Sequence, residues 1–214
     1  MIPREVIGRS IEGRPIEAIA IGAGRTRLLV HGGIHGDEPG AVEAVERFVT
    51  LLDGTGPRVV AVPAVNPDGL AARRKDNARG VDLNRNFPAR SFCPGAIPGP
   101  TAATRYDAGP SPLSEPESAA LAALVAREDP CVLVALHQPL ACVNFDGPAR
   151  DLAARMAAAC GWPAVADVGY PTPGSFGARY GVDEQRPVIT LELPRPASEG
   201  DLAAAVRALL VARG

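Results

Sequence analysis

Val132-Leu133-Val134-Ala135-Leu136 is an apolar run with no polar residue alternating through it, and it stops at His137. A strand of that kind is apolar on both faces, so it needs cover on both sides, as in a parallel sheet flanked by helices. Runs of the same type, bounded by Gly or Pro, span Ile16 to Ile21, Leu28 to His31, Val59 to Val65 and Val188 to Leu193. Segments of helical period stand between and after them, at Glu38 to Leu52, Glu115 to Arg127, Ala149 to Cys160 and Ser198 to Ala212. The alternation predicts an α/β layered domain.

The chain of 214 residues is the length of one ordinary domain, and 46% apolar residues suffice for a core without disulfides. No repeat, charge run or break in composition divides it, so residues 1–214 are read as a single domain. Only five Phe, three Tyr and one Trp are present, which leaves the core to Ala, Val, Leu and Ile and argues against a base-stacking surface. A net charge of −2 with no basic block excludes nucleic acid and anionic membrane as natural partners. The start of the chain, Met1-Ile2-Pro3-Arg4-Glu5, has no apolar run behind its charges, and Cys93, Cys131, Cys142 and Cys160 form no C-x-x-C pair. These features predict a soluble cytoplasmic protein with reduced thiols. No pattern bears on oligomeric state.

The stretch from Asn66 to Ser111 is polar, rich in Arg, Asn, Gly and Pro, and too long for a mere connector, which marks it as functional or disordered. Its opening Asn66-Pro67-Asp68-Gly69 reads as a structural turn, because Pro presets φ and Asp-Gly completes the bend. Further on, Ser114-Glu115-Pro116-Glu117 reads as a capping box opening a helix.

All three histidines follow apolar runs: His31 and His35 after Leu28-Leu29-Val30, and His137 after Val132 to Leu136. The carboxyl ends of strands are where open α/β sheets bind ligands. His35-Gly36-Asp37-Glu38 sets an imidazole and a carboxylate three apart at a strand-to-helix turn, and His137 completes two nitrogen ligands and one oxygen ligand, a set suited to a catalytic zinc. The plain alternative is that each His is a polar strand end reaching water. Glu192 lies inside Val188 to Leu193, where an acid is costly to bury unless paired or functional; the alternatives are a general base or an edge-strand Glu facing solvent. Gly80-Val81-Asp82-Leu83-Asn84-Arg85-Asn86-Phe87 sets an Arg between two Asn, suited to a bidentate grip on a carboxylate or equally to a salt-bridged loop.

His-x-x-Glu, Asn-Pro-Asp-Gly, Gly-Val-Asp-Leu-Asn-Arg-Asn-Phe, Ser-Glu-Pro-Glu, a strand-end His and a late Thr-Leu-Glu-Leu, in this order from His35 to Glu192, resemble the zinc metallocarboxypeptidases related to carboxypeptidase A. The resemblance implies a three-layer α/β/α sandwich around a mixed, mostly parallel sheet. It implies one Zn2+ held by His35, Glu38 and His137, with Asp82 orienting the His35 ring, His31 a neighbour only, and Glu192 the base acting on the metal-activated water. Asn84 and Arg85 would hold the free carboxylate of the residue released. Leu136-His137-Gln138-Pro139-Leu140-Ala141 and Gly169-Tyr170-Pro171-Thr172-Pro173-Gly174-Ser175 resemble the bacterial, cytoplasmic amidase branch of that family, which cleaves the γ-D-glutamyl bond to meso-diaminopimelate in recycled cell-wall peptides. The implied partner is therefore a small muropeptide.

Two positions depart from the family pattern. The Arg that polarises the scissile carbonyl stands two residues before the Asn that precedes Gly-Val-Asp, but Lys75 has that offset from Asn77 and Arg74 lies one residue further back. Arg74 is assigned the role, with Lys75 its rival. The Tyr that covers substrate matches Tyr170, slightly displaced. Gln138 replaces a common Ser, and Phe176 falls at the pocket floor, where an apolar side chain alone would not select a zwitterion. Arg150, Asp146, Arg179 and Glu184 are the candidates for a charge complement. An aspartoacylase-like or succinylglutamate desuccinylase-like deacylase uses a related ligand set, and a catalytically silent muropeptide binder would keep the fold. Asn-Pro-Asp-Gly and Ser-Glu-Pro-Glu favour the carboxypeptidase branch, and no ligand or base is missing.

Overall fold

Every expected apolar run becomes a strand. The computed structural model describes residues 2–99, 101 and 105–214; residues 1, 100 and 102–104 lie outside it, the last four within the long polar stretch. The strands are β1 (Glu5–Arg9), β2 (Pro15–Ile21), β3 (Ala23–His31), β4 (Pro57–Val62), β5 (Ala96–Pro98), β6 (Arg105–Asp107), β7 (Val132–His137), β8 (Leu140–Asp146), β9 (Ala164–Val165) and β10 (Val188–Pro194). The helices are α1 (Pro39–Thr50), α2 (Pro67–Ala72), α3 (Pro116–Glu128), α4 (Arg150–Cys160) and α5 (Glu199–Arg213). One eight-stranded sheet runs β1-β2-β4-β3-β7-β10-β8-β9, and β5 pairs with β6 apart from it. Its central strands β4, β3, β7 and β10 are mutually parallel, whereas β1, β2 and β8 join antiparallel.

The two-sided burial read from the sequence is realised residue by residue in β7. Val132, Val134 and Leu136 pack into the layer that also holds Phe48 of α1, Met156 of α4 and Leu209 of α5. Leu133 and Ala135 face the opposite layer, with Leu121 and Leu124 of α3, Phe87 and Phe176. Three layers result, with the parallel strands at the centre where both faces are dry.

Local differences from the expectations have physical causes. β4 stops at Val62 instead of Val65 because Pro63 has no N–H for the ladder; Gly32 instead donates to Val62 O (3.0 Å) and accepts from Val65 N (3.2 Å). β1 and β8 carry no clear strand signal in sequence: β1 exposes three of its five residues, and β8 breaks its apolar run at Asn144 and Asp146. Asn66-Pro67-Asp68-Gly69 is structural, but it opens α2 and does not end as a turn: Asn66 Oδ1 accepts the Gly69 N–H at 2.8 Å. The capping box expected at Ser114 is absent. Glu115 is the N-cap of α3 without a side-chain cap, and Ser114 Oγ donates to Glu115 Oε1 at 2.9 Å.

Two buried amides order the polar stretch against α3. Asn77 Nδ2 donates to Glu115 Oε2 (2.8 Å) and Glu117 Oε2 (3.2 Å). Asn86 Nδ2 donates to Ala108 O (2.8 Å) and Ser111 O (3.0 Å), while its Oδ1 accepts from Glu115 N (3.2 Å). Leu83–Arg85 form a single tight helical turn between these anchors.

Candidate active site

The chain leaves β3 at His31 and enters α1 at Pro39, so His35 and Glu38 lie in the turn between them. Glu38 occupies the N-cap position of α1 without capping it. Gln138 serves instead: its Oε1 accepts the Gly40 N–H at 3.0 Å and its Nε2 donates to Pro194 O at 2.7 Å. The Glu38 carboxylate is thereby left to face two rings, with Oε1 2.9 Å from His35 Nδ1 and Oε2 3.0 Å from His137 Nδ1. The other nitrogen of His35 lies 3.0 Å from Asp82 Oδ1.

The turn is held by backbone against backbone. A Cβ on Gly36 would overlap the carbonyl carbon of Gly69, and the Gly36 N–H donates to Lys75 O at 3.2 Å. The Asn-Pro-Asp-Gly motif therefore supports the His35 turn, although it contributes no side chain to the cavity.

Among the described residues, His35, Glu38 and His137 form the one group whose ligating atoms all lie within 4.8 Å of one another. All three are buried. The charge balance favours a cation: burial would lower the His35 imidazole, but Glu38 and Asp82 outweigh it and hold it up at about 9. Glu38 is held far below the usual carboxylate range by the two imidazoles, against its burial. Asp82 is also held well below its ordinary value, since His35 and Lys75 outweigh burial. Two buried carboxylates around two imidazoles fit a divalent ion, which would replace the proton that the His35 ring otherwise carries. His31, by contrast, is fully buried with neither ring nitrogen hydrogen-bonded among the described residues; desolvation lowers its pKa to about 3, and it packs edge-on against Phe176 at 4.7 Å.

These groups open onto a cavity of about 510 Å³ that Glu192, Asn84, Arg85 and Tyr170 also line. Glu192 is 7% exposed, accepts from Leu140 N at 3.3 Å, and is pushed upward in pKa by burial. Arg85 is buried, with Nη1 donating to Asn84 O at 2.7 Å and Nε without a partner among the described residues. Asn84 Oδ1 accepts from Phe176 N at 2.9 Å, which ties the Arg85 turn to the far wall. Tyr170 is half-buried, and its phenol is pushed up to about 12 by burial and by the charge of Glu192.

Arg74 does not meet its expectation. It is exposed and outside the cavity, whereas Lys75 lines it, with Nζ bonded to Asp82 Oδ2 and 3.9 Å from the centre of the Tyr106 ring. The backbone explains the difference: Arg73 takes a left-handed conformation at φ 51°, ending α2 and turning the next residues so that Lys75, not Arg74, points inward. Tyr106, from β6, was not singled out by the sequence; it stacks under both Lys75 and Arg85, the latter at 5.0 Å. Its only sequence signal is its place in the long polar stretch. Gln138 lines the cavity too, but its amide is spent on Gly40 and Pro194.

The profile of the zinc carboxypeptidase family matches residues 2–146. The chain is 39% identical over 202 residues to murein peptide amidase A of Escherichia coli, covering 91% of this chain and 83% of that one. It is 33% identical over 195 residues to murein peptide amidase A of Vibrio campbellii, covering 87% and 77%. Among solved structures, it is similar to murein-tripeptide amidase MpaA from Escherichia coli O157, with a TM-score of 0.84 and 35% identity over 99% of this chain and 92% of that one.

Proposed function

The chain belongs to the zinc carboxypeptidase family and is a peptide-bond hydrolase; we propose that it is a murein peptide amidase releasing meso-diaminopimelate from its γ-D-glutamyl bond. The observation that carries this reading is the meeting in one cavity of the His35, Glu38 and His137 set, Glu192, and the buried Arg85. The relatives named as murein peptide amidases, matched over most of their length, supply the substrate.

Zinc held by His35, Glu38 and His137 would supply a Lewis acid that acidifies water and polarises a carbonyl. Asp82 would fix the His35 ring by accepting its second N–H, which raises the basicity of the ligating nitrogen. Glu192 would take up the proton from water and return it to the departing amine; its burial, which raises its pKa, suits it to both transfers. Lys75, in place of Arg74, would offset charge developing on the scissile carbonyl oxygen. Arg85 and Asn84 would grip the free carboxylate of the residue released, which makes the enzyme an exopeptidase. Tyr170, kept protonated by its raised pKa, would donate a hydrogen bond to substrate from the opposite wall.

We read residues 1–214 as one catalytic domain, since the central sheet draws its strands from both halves of the chain. The four cysteines are free, in keeping with a reducing cytoplasm where cell-wall peptides are reused. Among the described residues, no helix is long and apolar enough to cross a membrane.

The test is mass-spectrometric product analysis of zinc-loaded protein with L-Ala-γ-D-Glu-meso-diaminopimelate, α-linked peptides and N-acyl amino acids. Free diaminopimelate from the first substrate alone is the expected result. Turnover of N-acyl amino acids alone would make the enzyme a deacylase.

A further inference from the structure

The cavity holds more positive charge than the proposed reaction uses. Apart from His35 and His137, the cations that line it among the described residues are Lys75, Arg85 and Arg195. Lys75 is bonded to Asp82, and Arg85 to the Asn84 carbonyl. The proposed reaction leaves Arg195 without a task. Its Nη1 donates to Asp37 Oδ2 at 3.2 Å, the one side-chain hydrogen bond that Arg195 makes among the described residues, and Asp37 Oδ1 accepts none. A single-armed contact between side chains that are 39% and 34% exposed is weak, and it leaves most of the guanidinium fork free for a second carboxylate.

Strand register fixes which end of the cavity Arg195 serves. β10 runs from Val188, paired with Asp146, through Glu192 to Pro194, paired with Leu140. The Asn84–Arg85 turn belongs to the first end: Asn84 Oδ1 accepts from Phe176 N, and a Cβ on the next residue, Gly177, would overlap Asp146 Oδ2. Arg195 follows Pro194 and stands at the other end, beside Pro139 and Leu140 in the cavity wall. Its backbone is held there, since Pro194 O accepts from Gln138 Nε2 at 2.7 Å and the next residue is Pro196. A substrate whose released carboxylate lies on Arg85 therefore extends its retained part past Glu192 toward Arg195.

We propose that Arg195 is a specificity residue for the retained side of the substrate, binding the free α-carboxylate of the γ-linked D-glutamyl residue. The inference rests on the amidase reading for the substrate. Linkage through the γ-carboxyl leaves the α-carboxylate free, whereas linkage through the α-carboxyl leaves a carboxylate at that reach only on a glutamate side chain. From the scissile carbonyl carbon to the carbon of the free carboxylate there are about four bonds, roughly 5 Å when extended. A hydrogen bond of ~2.8 Å brings the reach to about 8 Å. Arg195 lies three residues past Glu192, roughly 10 Å along the chain at ~3.3 Å per residue, and its long side chain closes the difference. The planar guanidinium can then take the carboxylate by two parallel N–H bonds, with Asp37 keeping it at the cavity wall until substrate arrives.

Kinetics of the zinc-loaded enzyme on two γ-linked tripeptides test this: L-Ala-γ-D-Glu-meso-diaminopimelate, and the same peptide with its D-Glu α-carboxylate converted to the carboxamide. The wild-type enzyme should prefer the free acid roughly 10- to 100-fold in kcat/KM, the range for a hydrogen bond to a charged group. In Arg195→Gln that ratio should fall to near one, and Arg195→Lys should keep only part of it. The ratio is taken within each protein, so a smaller folded fraction cancels. A wild-type enzyme without the preference, or either variant keeping it in full, overturns the role of Arg195 and leaves the amidase reading in place. Cleavage of neither peptide by the wild-type enzyme removes the amidase reading and this assignment with it.

Discussion

Glu192 of β10 stands directly beside His137 of β7 in the parallel register, so sheet pairing itself sets the proposed base next to a proposed metal ligand. A slip of one residue would turn Glu192 to the opposite face, among the core of α1, α4 and α5. The placement of Glu192 beside His137 is thus a property of the most deeply buried part of the sheet.

Glu192→Gln keeps that geometry and removes the basic oxygen. Turnover of the tripeptide should fall at least 10²- to 10⁴-fold, the usual contribution of a positioned base. Zinc content measured by plasma mass spectrometry should stay at one per chain. Retained turnover would remove Glu192 from the reaction.

Asp82 holds the His35 ring from behind, at 3.0 Å. Asp82→Asn should weaken zinc binding roughly 10- to 100-fold, measured by competition with a chromophoric chelator. Stripping zinc from the wild-type protein should abolish turnover, and adding zinc should restore it.

Lys75 and Arg74 can be separated by mutation. Lys75→Ala should lower kcat by about 10²-fold or more if its cation offsets carbonyl charge. Arg74→Ala, at an exposed side chain outside the cavity, should leave kcat within about twofold, as surface substitutions generally do. The opposite pattern would return the role to Arg74.

Gly36 has no room for a side chain, because a Cβ would overlap the Gly69 backbone. Gly36→Ala must push apart α2 and the His35 turn. A lower thermal midpoint, a cost of about 1–3 kcal/mol for overpacking, should accompany weaker zinc binding. A variant with wild-type stability and zinc affinity would mean that the two backbones separate freely.

Asp68 ties α2 to the β1–β2 connection. It accepts from Ser10 Oγ at 2.7 Å, Glu12 N at 2.9 Å and Arg14 Nη1 at 2.6 Å. Burial pushes its pKa up, but these donors outweigh burial and hold it below the ordinary value. A depressed folded pKa contributes stability above the unfolded value of about 3.9 and loses it as pH falls through the folded one. Thermal midpoints should therefore drop below about pH 4, and Asp68→Asn should be less stable at neutral pH with a shallower acid dependence.

The candidate metal-ligand set was legible in sequence because each of its parts is marked locally. His35 and Glu38 share one turn, and His137 and Glu192 end or punctuate apolar runs whose two-sided burial also declares the α/β class. Periodicity reports which residues of a segment are covered, and that information is carried by near neighbours. The direction of a loop side chain is not. Lys75 points inward and Arg74 outward because α2 ends in a left-handed residue and Asn77 is anchored to α3 by Glu115, 38 residues on. Tyr106 reaches the cavity through the β5–β6 hairpin, and Gln138 is drawn to α1 by an N-cap that Glu38 leaves open. Asp146 was one of four charged candidates, and strand register, which sets it opposite Val188, is what brings it to the cavity wall. Those choices are made by contacts between segments distant in the chain, which only packing into the tertiary structure brings together.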